Sequence, residues 1–233
     1  MQENDIRKDL GNSGSDYVHS LAKTSLSFIP VVGGAISEVF NLIISEPLSK
    51  RRDEWLIKIY SELKQLEEKV ESFNIENLKD DDLFISILLK ASQMVLKNHQ
   101  EEKKEALCNA VINTAKTIAI EENEQMIFLN YIDELTVWHI KILQYLNNPS
   151  KMFSEQGLSK ENYYMGAPIT PLLDYFTELS NREDFVKIIV KDLYNKNLIT
   201  VDGLYTMMAE EGMFASRTSE FGKKFINYIT ADK

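Results

Sequence analysis

The sequence predicts an all-α protein, mostly helical, with one short β-hairpin near its C-terminus, and three observations carry that reading. Gly and Pro are scarce, 9 and 5 in 233 residues, which argues against a turn-rich all-β fold, disorder and collagen-like repeats. Apolar residues return at steps of three and four through several long segments, the spacing of helices with one buried face. Toward the C-terminus the periodic runs shorten, and the β-branched stretch Leu198-Ile199-Thr200-Val201 interrupts them. The length suits one large domain or two small ones. Two are expected: a helical bundle over 16–120 behind a flexible 1–15, then a second module over 121–233, with the helix 121–147 shared and a loop over 147–167.

The first twenty residues lack the basic and apolar regions of an export signal, so a cytoplasmic protein is expected. Next comes the most apolar stretch, SFIPVVGGAISEVFNLIIS (27–45), in which Glu38 is the one charge between Lys23 and Glu46. Its length approaches the ~20 residues of a membrane span, but an acid inside the run costs a few kcal/mol in lipid. Pro30 suits a first helical turn, so a hairpin of two helices is predicted. Gly33 and Gly34 remove side chains where a neighbouring backbone would pass closely. Two destinies compete for this hairpin: burial within the protein's own bundle, or insertion into a membrane after a trigger. In the second, Lys50, Arg51 and Arg52 would meet anionic headgroups; in the first they are a solvated helix face.

Residues 48–73 give the clearest period, with Leu56, Ile59, Leu63, Leu66, Val70 and Phe73 forming an a/d seam of nearly three heptads. Packing inside its own bundle is expected, with pairing to a second copy as the rival. Lys58 and Glu62, then Lys64 and Glu68, stand at i,i+4 on the wet face. Asp80, Asp81 and Asp82 cap and charge the start of a helix over 82–98, with Leu83, Ile87, Leu88, Ala91 and Val95 inward. A helix over 101–120 carries Ala106, Leu107, Ala110, Val111 and Ala115 on its apolar side. One long helix is then predicted over 121–146, burying Phe128, Ile132, Leu135, Trp138 or His139, Ile142 and Leu146.

Asn147-Asn148-Pro149-Ser150 opens an aperiodic stretch to Ala167, a loop with at most one helical turn. Two compact helices follow, Pro168–Leu179 and Arg182–Leu198, with Ser180 or Asn181 capping the second. Leu198–Val201 and Met213–Ala215 are then expected as short strands, and Thr218–Ile229 as a closing helix burying Phe221, Phe225 and Ile229. Helix, helix, helix, hairpin, helix is the order of a winged helix.

Three stretches also resemble a known group: IPVVGGAISE; KKEALCNAVINTA with FLNYIDELTVWHIKILQYL; and LYNKNLI with RTSEFGKKFINYI. They are similar to bacterial helical proteins of abortive-infection and phage-defence type that carry a C-terminal winged-helix-like module. The resemblance implies a bacterial cytosolic setting and a defence or regulatory role, and it identifies no reaction.

No chemical constellation stands out. His19, His99 and His139 are far apart, Cys108 is alone, and no spacing suits a metal. There is no G-x-S-x-G, no P-loop and no G-x-G-x-x-G, so no catalytic residue, cofactor site, metal site or small-molecule substrate is indicated. A net charge of −10 repels nucleic acid and anionic lipid on average. The candidate recognition helix offers Arg182, Lys187, Lys191 and Lys196 against Glu183, Asp184 and Asp192, and the following segment offers Asp202, Glu210 and Glu211 against Arg217. Phosphate neutralisation is therefore weak and nucleic acid disfavoured. The first expectation is a non-enzymatic interaction or regulatory protein with a protein partner or self-association. A membrane-active effector using the 27–45 hairpin and a DNA-binding transcriptional regulator are the alternatives.

Overall fold

A computed structural model describes residues 50–116 and 119–231. The apolar stretch 27–45, with Pro30, Gly33, Gly34 and Glu38, lies outside them, as does the N-terminal 1–15. Among the described residues the fold is mostly helical with one small two-stranded antiparallel sheet. Among the described residues no helix is long and apolar enough to cross a membrane. The chain divides into two compact units, Met1–Leu129 and Asn130–Lys233.

In the first unit, α1 (Lys50–Lys69), α2 (Asp82–Lys97) and α3 (Glu101–Ala115) pack pairwise on one another. The a/d seam of α1 lies against its own neighbours, with Leu56, Ile59, Leu63 and Leu66 buried. It stops a turn early, because α1 ends at Lys69 and Val70 is exposed. Lys64 pairs with Glu67 at 2.9 Å in place of Glu68, and the other Glu67 oxygen accepts the Ile75 N–H at 3.1 Å. That carboxylate joins the end of α1 to the start of a 3₁₀ turn, Ile75–Asp80, so its position is worth more to the fold than that of Glu68. Asp81 caps α2, its carboxylate accepting the Phe84 N–H at 2.9 Å. Phe84 takes the core position expected of Leu83, which is half-buried. Small residues let α3 bury nearly every side, and Cys108 is 2 % exposed.

The single helix expected over 121–146 is two, α4 (Glu122–Glu134) and α5 (Val137–Asn147). Thr136 breaks it by taking extended backbone as an N-cap. Its N–H donates to Nδ1 of His139 at 3.2 Å, and its hydroxyl lies 2.8 Å from the same nitrogen. A threonine whose polar groups find partners at a helix start gives up little by leaving the helix. The apolar period survives the break because Leu135 is itself buried, which is why the pattern reads as continuous.

In the second unit α5 is central, packing against α6 (Pro149–Glu155), α8 (Glu183–Asn195) and α10 (Glu220–Ile229). The expected loop over 147–167 contains α6, started by Pro149 at its first turn and by Asn148, whose side chain accepts the Lys151 N–H. The helix expected to reach Leu179 is α7 (Ile169–Tyr175) followed by a 3₁₀ turn, Thr177–Leu179. Arg182, not Ser180 or Asn181, occupies the cap position of α8, and no side chain bonds there.

The strands differ most from expectation. β1 (Met165–Gly166) pairs antiparallel with β2 (Met208–Ala209), Met165 opposite Ala209 and Gly166 opposite Met208. Residues 198–200 meet 217–219 through an Ile199–Thr218 bridge, with Thr200 N–H donating to the Arg217 carbonyl at 2.8 Å. Met213–Ala215, expected as a strand, closes the short helix α9 (Glu210–Met213) instead. The cause is Arg217, 6 % exposed, whose guanidinium donates to the carbonyls of Gly212, Met213 and Ala215 at 2.5, 3.3 and 2.6 Å. A cation on the last carbonyls of a helix is favourable, and it holds 212–215 in a turn.

Candidate functional site

The helix α8 is built by its buried stripe. Val186, Ile189, Val190 and Leu193 face inward at helical spacing, and Glu183 and Asp184 sit in the first turn where the helix dipole favours acids. Its end is a Schellman turn: Asn197 takes φ +56°, its N–H donates to Tyr194, and Leu198 N–H donates to Leu193 at 3.0 Å. This fixed helix presents Lys187, Ile188, Lys191 and Tyr194 outward.

Each predicted recognition cation has a partner within the chain. The Arg182 guanidinium stacks on Phe185, 4.2 Å from the ring centre. Lys187 pairs with Asp184 at 2.9 Å and lies 5.1 Å from the Tyr205 ring; its hydrogen bond to Asp184 raises its pKa. Lys191 pairs with Asp202 at 3.4 Å and lies 5.2 Å from the Tyr194 ring. Lys196 is turned away from the outer face, paired with Glu134 and 4.8 Å from the Tyr131 ring. Exposed ion pairs are individually weak, and here they set an acid beside each of Lys187, Lys191 and Lys196.

Apolar groups stand outward among these charges. Ile188 is 60 % exposed and Tyr205 41 %. Beside them a pocket of about 100 Å³ opens between α8 and 202–205, floored by Val186, Val190 and Leu204. Sequence reasoning missed Ile188, Asp202 and Tyr205 as members of this face. Asp184 and Lys187 at i,i+3 were legible as a pair, whereas Asp202 joins Lys191 only through the chain reversal after α8.

A larger cleft, about 610 Å³, lies elsewhere in this unit, between the α6–β1 segment and α7. Phe153 and Tyr163 stand edge to face at 5.5 Å, and Tyr163 hydroxyl donates to Asp174. Burial, then that bond, raises the Tyr163 pKa.

Of the candidate hairpin set, Lys50, Arg51 and Arg52 form the first turn of α1; the rest lie outside the described residues. Burial pushes the Cys108 thiol up to about 12, which keeps it protonated and unreactive at neutral pH. Among the described residues no group of His, Cys, Asp and Glu is arranged to hold a metal. Comparison with protein-family models, curated proteins and solved structures finds no match to this chain.

Proposed function

We propose that the chain is a non-enzymatic interaction and regulatory protein that binds a protein partner through the outward face of α8, in the bacterial defence or stress setting its resemblance implies. One observation carries the reading: the cations of this face are already paired or stacked, while Ile188 and Tyr205 stand exposed beside them. Such a mixture, an apolar centre with pre-organised charges at its rim, is how protein interfaces are composed. We read the second unit as a contact platform, since fold alone does not set function.

The test has two arms. A photo-crosslinking residue at position 188, in cells, should form a discrete protein adduct that the same residue at exposed Asn227 does not. Purified protein should show no binding to duplex DNA at low salt. Absence of any adduct at 188, or low-salt DNA binding weakened by Lys187→Ala and Lys191→Ala, would reject the reading.

A further inference from the structure

The 610 Å³ cleft of the second unit is chemically one-sided. Two aromatic rings, Phe153 and Tyr163, and two methionines, Met165 and Met213, line it together with the Asp174 carboxylate. Among the residues lining it, Asp174 carries the one full charge, and Asp174 is exposed. Ring faces, thioether sulfurs and a carboxylate all attract positive charge. An anion would meet Asp174 with no cation among the lining residues to offset it.

The chain already uses the same aromatic group in this way. Phe153, Tyr163 and Phe214 pack mutually edge to face, and Lys160, held by Ser150, lies 4.8 Å from the Phe214 ring centre. Lys160 lies by the third ring and is not among the cleft's lining; Phe153 and Met213, each 1 % exposed, form the cleft's buried floor, and the half-buried Tyr163 ring borders it.

The rim is apolar. Tyr164 is 81 % exposed, Met165 73 % and Met207 65 %. The register of β1 with β2 sets Met165 opposite Ala209, and Met207 directly precedes β2. An exposed methionine pair beside a cleft is surface that a flexible apolar segment covers well.

We propose that this cleft receives a basic side chain, arginine or lysine, from a peptide segment of a protein partner, with apolar residues flanking it on the Met165–Met207 rim. The site is separate from the α8 face and stands without the reading given to it.

The full chain labelled with ¹³C at its methionine methyls tests this directly, because Met165 and Met213 line the cleft while Met94 sits in the core of the first unit. N-acetyl-arginine amide at millimolar concentration should shift Met165 and Met213 saturably and leave Met94 unmoved. The uncharged isostere N-acetyl-citrulline amide should bind about tenfold more weakly, the size of a lost charge-assisted hydrogen bond. Acetyl-Leu-Arg-Leu-amide should bind more tightly than N-acetyl-arginine amide if the rim takes part. Asp174→Asn should weaken the arginine probes about tenfold, and Thr170→Lys, which places a cation in the cleft from an exposed position, should abolish binding with the fold intact by circular dichroism. The proposal fails if Met165 and Met213 do not move, if citrulline moves them as strongly, if Asp174→Asn and Thr170→Lys bind unchanged, or if the flanking leucines add nothing.

Discussion

Gly222 sits inside α10 against the backbone of Leu198, and a Cβ built there would lie 2.0 Å from the Leu198 carbonyl oxygen. Because that obstacle is backbone, no rotamer relieves it, and Gly222→Ala should cost about 3 kcal/mol, the upper range for overpacking, in urea denaturation. Tyr145 presents the opposite case: it is 1 % exposed and its hydroxyl has no hydrogen-bond partner among the described residues. Tyr145→Phe should therefore leave stability unchanged or raise it by about 1 kcal/mol at neutral pH. Burial also raises the pKa of Tyr145, Tyr163 and Tyr175. A folded pKa above the unfolded value of about 10 means their contribution is whole below pH 10 and is lost as pH rises beyond it. Thermal denaturation should accordingly fall away steeply above about pH 10, and less so in Tyr145→Phe. The apolar bodies of these residues were readable from the sequence. That Tyr145 would lack a partner was not, because a missing neighbour leaves no local trace.

At the scale of the element, α8 separates surface from core within two adjacent residues. Ile188→Ser should change stability by less than about 0.5 kcal/mol, whereas Ile189→Ser, at 0 % exposure, should cost about 3 kcal/mol or more. If both are neutral, the face assignment is wrong. Helices α1, α2, α8 and α10 were legible because each has one buried stripe. Asp81 marks the start of α2, whereas the stop at Asn197 went unread and the helix was expected to reach Leu198. The break at Thr136 was hidden, since Phe128, Ile132, Leu135, Ile142 and Leu146 keep helical period across it. The strand at 213–215 was misread for a related reason: three residues hold no period, and the group that decides their form, Arg217, acts from outside them.

For the whole molecule, two compact units predict two separately perturbable cores. The two tryptophans report on one each, since Trp55 belongs to the first unit and Trp138 to the second. In single-tryptophan variants, Gly222→Ala should lower the denaturation midpoint seen by Trp138 and leave that seen by Trp55 unchanged. Equal shifts would show one cooperative body instead of two.

Half of the candidate site was on view in the sequence. Arg182, Lys187, Lys191 and Lys196 were visible as a helical cationic set, and the weakness of that set was readable from interspersed acids. The pairing of Lys191 and the exposed Tyr205 ring beside Lys187 required the following segment to bring in Asp202 and Tyr205. The cleft is still less legible, because its lining comes from separate stretches between Phe153 and Met213.

By itself the sequence determined the helical class, the buried stripes and the lack of any local catalytic motif, because period and capping act over a few residues. Only the tertiary structure decided where the strands pair, which charges cancel and where an acid meets aromatic rings. Those depend on groups far apart in the chain, brought together by the burial of side chains whose local pattern is silent about their partners.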